Sequence, residues 1–284
     1  MSSRMPVAFV GHGSPLNALE SNRYTQAWAA FGRSVPTPRA ILAISAHWFI
    51  NATAVTAMRS PRTIHDFFGF PQELFDVEYP APGAPELAEE IADLVHPTWV
   101  GADVDSWGID HGTWSVLTHA FPDADVPVVQ LSLNAYKSLD YHVDLGARLA
   151  GLRDRGVLIV ASGNVVHNLG AMDPRRPEAG FDWAHRFDED AFAVLRNRPG
   201  DAATLGEHPD YRHAVPTPDH FLPLLYVAGL AAESGEQPAI LVDGVEYGSL
   251  SMTSYVIGGN YPTRDGDGHG AGLPESPEPP DTNL

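Results

Sequence analysis

The chain of 284 residues contains no cysteine. It can therefore carry no disulfide framework, thiolate metal site or cysteine nucleophile, and any metal must be held by His, Asp or Glu. Lysine is nearly missing as well, Lys137 standing alone among arginines. Lys plus Arg number 17 against 36 Asp plus Glu, a formal charge of −19 at pH 7. A surface of that sign has nothing to offer a polyanion, which argues against nucleic acid as a partner. The same imbalance fits either a salt-rich cytoplasm or a GC-rich genome and points to no function. Long apolar runs are also lacking. None approaches the roughly 18 residues that span a bilayer, and residues 1–6 lack the apolar region of a signal peptide, so no membrane partner and a cytoplasmic location are expected.

What remains is the composition of a packed protein, 44% apolar and 19% charged, too apolar for general disorder. Strand-length apolar runs at 6–10, 40–45, 55–58, 126–131, 157–161, 239–242 and 249–257 alternate with helical patterns at 24–31, 85–95, 114–120, 139–152, 183–195 and 219–231. That alternation predicts a single α/β domain over residues 1–260, with a mostly parallel, mixed sheet flanked by helices. Pro85 suits a first helical turn and Asp219 an N-cap. The connection 59–82, crowded with aromatics, Pro and Gly, is too irregular for a helix and too apolar for a solvated loop, so it should pack over something. Residues 261–284, rich in Pro, Gly, Asp and Glu, cannot repay the entropy of ordering and are expected to form a disordered tail.

The histidines carry the functional signal. His12 follows the first strand in Gly11-His12-Gly13-Ser14-Pro15, His47 follows the second in Ser45-Ala46-His47-Trp48, and His167 follows the fifth in Gly163-Asn164-Val165-Val166-His167-Asn168. The carboxyl ends of parallel strands share one edge, where open α/β folds place ligand sites. Three imidazoles would meet at one crevice. The glycines around His12 allow a sharp turn and close approach to a ligand; the same loop could cradle a phosphate, although Pro15 removes a donor there. His111, in Asp110-His111-Gly112-Thr113-Trp114, lies in a loop before a helix. His220, in Pro216-Thr217-Pro218-Asp219-His220, opens one. The positive end of a helix disfavours imidazolium and suits a ligand or general base, yet either residue could simply cap its helix. His65 sits in the aromatic connection, and the other histidines read as surface or packing residues.

Taken in order, these five motifs resemble the class III extradiol ring-cleavage dioxygenases, in their DOPA 4,5-dioxygenase-like branch, over about residues 5–258. Thr63-Ile64-His65-Asp66-Phe67 and Gly248-Ser249-Leu250-Ser251-Met252 look like the same branch. The resemblance implies a strand-end site for non-haem Fe(II), with a catechol and O2 as small-molecule partners. It also implies His12, His47 and His220 as metal ligands, His111 and His167 as the acid/base pair with His167 a further candidate ligand, and His65 on the substrate side. His220 stands where the broader class has a glutamate, so the ligand set is all nitrogen, which Zn(II) also accepts. Asp219 and Glu246 are the carboxylates to check as substitutes. A zinc-dependent hydrolase on the same scaffold is the alternative activity, and oligomeric state is left open.

The tail yields a first test. Deleting the chain from about residue 261 onward is expected to leave the melting temperature and metal content nearly unchanged, as thermal denaturation and metal analysis would read.

Overall fold

A computed structural model describes residues 4–259 and Tyr261. Among the described residues ten strands form: β1 Val7–Gly11, β2 Ala40–Ile50, β3 Ala54–Thr56, β4 Gly101–Asp103, β5 Val128–Asn134, β6 Val157–Gly163, β7 Ala239–Val242, β8 Val245–Glu246, β9 Leu250–Ser251 and β10 Ser254–Ile257. The helices are α1 Arg23–Ser34, α2 Gln72–Phe75, α3 Pro85–Leu94, α4 His111–Ala120, α5 Leu139–Arg148, α6 Asp182–Asn197, α7 Tyr211–Ala214 and α8 Leu222–Ser234.

Eight strands make one sheet in the order β4-β3-β5-β2-β6-β1-β10-β7, and β8 pairs with β9. The centre, β5-β2-β6-β1, is parallel. Antiparallel pairs lie outside it, β1 with β10, β10 with β7 and β3 with β5. Both faces of the centre are buried because side chains alternate along each strand. Val7 and Phe9 of β1, Leu42 and Ile44 of β2, and Val157 and Ile159 of β6 enter one core with α5 and α8. Ala8, Val10, Ile41, Ala43, Leu158 and Val160 enter the other with α1 and α4. The expected mixed sheet is the one observed.

Several boundaries differ from the sequence reading. β2 runs five residues beyond Ser45, so His47 lies within it; the register against β5 shifts between Ile44 and Phe49, a bulge that interrupts the pattern. α4 begins at His111 with Asp110 as N-cap, rather than at Trp114. α8 begins at Leu222, so Asp219 and His220 precede it and Asp219 is not its cap. The expected last strand is two short ones, β9 and β10. The connection 59–82 contains the one-turn α2 and does pack inward, burying Phe67, Leu74 and Tyr79. Of the expected tail only Tyr261 is described, its ring 5.2 Å from Phe31; residues 262–284 lie outside the described residues. No helix among the described residues is long and apolar enough to cross a membrane.

α5 and α8 touch backbone to backbone at two glycines. A Cβ on Gly229 would lie 2.0 Å from the carbonyl oxygen of Val143, and one on Gly146 2.3 Å from that of Tyr226. Ala normally gains up to ~1 kcal/mol over Gly inside a helix, but this contact cannot yield without separating the helices. Gly229→Ala is therefore expected to destabilise the fold by about 1–3 kcal/mol, measured as a lower midpoint in denaturant unfolding.

Candidate metal centre

The strand order gathers the histidines. β1 ends at Gly11, whose missing side chain lets the backbone pass Met252 where a Cβ would sit 2.6 Å from the Met252 carbonyl carbon. His12 follows at once, 1% exposed, its carbonyl accepting from Asn17 Nδ2 at 2.8 Å. Its Nδ1 lies 2.9 Å from Ser162 Oγ on the adjacent strand β6. Ser162 gives its own hydrogen to the carbonyl of Gly112, so it accepts from His12 Nδ1–H and leaves Nε2 with the free lone pair.

The bulge in β2 aims His47 at the same point. His47 Nδ1 lies 3.0 Å from Asp66 Oδ2, and its Nε2 faces His12 Nε2 at 3.1 Å. His220 arrives on the turn before α8, held where its carbonyl accepts from Asn164 N–H at 2.8 Å. Gly163 makes room for that carbonyl, since a Cβ there would come within 2.2 Å of it. A short hydrogen bond joins His220 Nδ1 to Asp219, so here too Nε2 is the nitrogen left over. One nitrogen from each of His12, His47 and His220 falls within a mutual 4.8 Å.

His111, the first residue of α4, lies beside this group with its ring centroid 3.8 Å from that of His47. Its Nδ1 is 2.9 Å from Asp66 Oδ1, and its backbone N–H donates to the same oxygen at 3.1 Å. His167 stacks on His220, ring centroids 3.5 Å apart and planes 2° from parallel. Five predicted histidines are thus brought together. His65 is not in direct contact with them. Its Nε2 donates to Val77 O at 2.9 Å, and Phe67 touches both it and His111. Glu246 lies elsewhere, near Tyr24, Arg23, Glu20 and Glu178, where burial pushes its carboxyl up to about 7.

A buried polar frame fixes the start of α4. Asp110 Oδ1 accepts from Ser45 Oγ at 2.7 Å and from Thr113 N–H at 3.2 Å. Its Oδ2 accepts from Trp107 Nε1 at 3.2 Å and closely from Gln130 Nε2. Asp66, Ser162 and Gln130 received no role from the sequence. Only Asp66 had a local signal, its place beside His65 in the aromatic connection.

Electrostatics sort the ring protons. Burial, reinforced by the facing imidazoles, holds His12 well below the usual imidazole range, and burial with His220 does the same to His167. Burial also lowers His220, outweighing the opposite pull of Asp219. Burial would lower His47, but Asp66 outweighs it and lifts His47 to about 9. Burial would raise Asp66 and Asp219, yet their imidazole partners hold both well below the carboxylate range. Two ring nitrogens face to face at 3.1 Å repel unless a proton or a cation lies between them. Metal bonds of roughly 2.0–2.1 Å would place neighbouring ligand nitrogens about 3 Å apart. The residues fit a divalent ion.

Comparison with known proteins agrees. Residues 11–258 match the family model described as the catalytic LigB subunit of aromatic ring-opening dioxygenase. The chain is 48% identical over 262 residues to the 4,5-DOPA dioxygenase extradiol of Escherichia coli K12, covering 90% of this chain and 96% of the relative. It is 36% identical over 260 residues to the protein of the same name from Beta vulgaris, covering 87% and 96%. A crystal structure of an uncharacterized protein from Escherichia coli K12 superposes with a TM-score of 0.79 at 43% identity, over 90% of this chain and 100% of that one.

The frame around Asp110 can be tested alone. Asp110→Ala removes the α4 cap and strands the buried donors of Ser45 and Gln130. A loss of about 3 kcal/mol is expected from those two causes, read by equilibrium denaturation.

Proposed function

The chain belongs to the family of aromatic ring-opening dioxygenases described by the catalytic LigB subunit, and from that membership we propose that it opens the ring of a DOPA-like catechol beside its hydroxyls, using O2. The observation that carries this reading is the convergence of His12, His47 and His220, each with Nδ1 engaged by an outer oxygen and one ring nitrogen within a mutual 4.8 Å. Those three would hold the ion, Fe(II) for activity, with Zn(II) an ion the same nitrogens accept. When bound, the ion supplies Lewis acidity and the one-electron chemistry that O2 needs.

The protein's own groups supply the rest. With its Nδ1–H directed at Asp66, His111 presents Nε2 as a base that takes a phenolic proton and later returns one as the ring opens. His167 is the second acid/base group. Neither of its ring nitrogens has a hydrogen-bond partner among the described residues. Its plane is parallel to His220 and up to 3.5 Å away; since ring lone pairs lie in plane, His167 and His220 do not aim at one point, which favours proton transfer over ligation for His167. Phe67, packed against Phe70, Phe75 and His111, forms an apolar wall for the catechol ring, and His65 backs it. The named relatives support a DOPA-like substrate. They lend nothing to the hydrolase alternative.

Parallel measurement of metal stoichiometry and catechol turnover separates the roles. His12→Ala should lose the metal. His111→Ala should retain it while turnover falls by roughly 10²–10⁴. Loss of metal in His111→Ala as complete as in His12→Ala would make His111 a ligand, and full turnover would leave it only a helix-start residue.

A further inference from the structure

We propose that Asp66 is a positioning residue that sets the tautomer of two imidazoles at once, preparing His47 to bind metal and His111 to accept a proton. The inference rests on the roles proposed above for those two histidines. Asp66 Oδ1 lies 2.9 Å from His111 Nδ1 and Oδ2 lies 3.0 Å from His47 Nδ1. An ionised carboxylate can only accept, so both Nδ1 atoms must carry hydrogen. In the neutral rings, the form a metal ligand or a base needs, both Nε2 atoms are then left to carry lone pairs on the side of the site. Ser162 and Asp219 each engage the Nδ1 of a ligand candidate; Asp66 joins the Nδ1 of a ligand candidate to that of a proton-transfer candidate.

The carboxylate is held in place by its own segment. Ile64 N–H donates to Ile109 O at 2.8 Å and Ile109 N–H to Arg62 O at 2.9 Å, stitching the chain before Asp66 to the chain before His111. Trp114 Nε1 donates to Ile64 O at 2.8 Å, and the Phe67 side chain is buried. The aromatic connection therefore serves as the mount for Asp66 as well as a wall.

Asparagine offers one acceptor oxygen where aspartate offers two, and its amide nitrogen is a donor. In Asp66→Asn, the imidazole facing the NH2 group must surrender its Nδ1 hydrogen and carry it on Nε2, where it can neither bind a metal nor take up a proton. The test uses the full chain loaded with Zn²⁺. Long-range ¹H–¹⁵N spectra read the tautomers, and competition with a chromophoric chelator reads Zn²⁺ affinity, for wild type, Asp66→Asn and Asp219→Asn. In wild type, His47 and His111 should both be protonated on Nδ1. Asp66→Asn should shift the tautomer of at least one of the two and weaken Zn²⁺ by about 10–100-fold. Asp219→Asn should weaken Zn²⁺ while leaving His111 unchanged. A hydrogen on Nε2 of either imidazole in wild type would overturn the proposal, and that result needs no variant to fold. So would Asp66→Asn with unaltered tautomers and Zn²⁺ affinity within twofold of wild type. Wild type that took up no Zn²⁺ would remove the metal reading and this one together, whereas normal uptake with an indifferent Asp66→Asn would remove this one only.

Discussion

Imidazoles set nitrogen to nitrogen in a buried site constrain everything around them. The ring centroids of His12 and His47 lie 5.1 Å apart and 5.0–5.3 Å from that of His220, and His111 lies 3.8 Å from His47 and 5.9 Å from His12, so protonating one makes protonating its neighbours costly. The protein answers with oxygens on the outer side of the cluster. Ser162, Asp66 and Asp219 each engage an Nδ1, and every such bond turns an Nε2 inward. The inward-facing lone pairs are consequences of the outward hydrogen bonds, as in metal sites where the second ring nitrogen is tied to a carboxylate or another acceptor.

The sheet order makes this crowding possible. His12 comes from β1 and His47 from β2, and β6 lies between those strands, which places their backbones about two strand spacings, or ~9.5 Å, apart. Two imidazoles can close that gap only if the intervening strand is low beneath them. β6 presents Ser162 and Gly163 there, residues that fall beside Val10 and Gly11 in the register with β1. Gly163 also admits the His220 carbonyl. A branched side chain at 163 would keep His220 out of the cluster.

The sequence exposed the parts of this arrangement that depend on local pattern. Apolar runs located the central strands, and strand-end position drew attention to His12, His47 and His167. The misplacements have physical reasons. His47 breaks an apolar run, so the sequence pattern of β2 ends at Ser45; the bulge, not a strand end, orients it. Apolar periodicity begins only at Trp114, whereas the helix starts at His111 because Asp110 caps it by accepting from the Thr113 N–H. Asp66, Ser162 and Gln130 were hidden for a different reason. Their partners lie 19 to 150 residues away along the chain or across the sheet, and no periodicity records such pairs.

The proposed all-nitrogen donor set raises a question of charge that the surrounding carboxylates answer. Three neutral imidazoles bring no negative charge to a buried divalent ion, and a site with a glutamate ligand would bring one unit directly. Here Asp66 stands one hydrogen-bonded imidazole away through His47, and Asp219 likewise through His220. Both are held ionised by those partners. On the proposed ligand assignment the balancing charge has therefore moved one residue outward, from the metal's own shell to the far side of its ligands. There it also fixes the tautomers, a task that a carboxylate spent on direct coordination would perform less well, because coordination occupies the oxygen that would otherwise hold the ring.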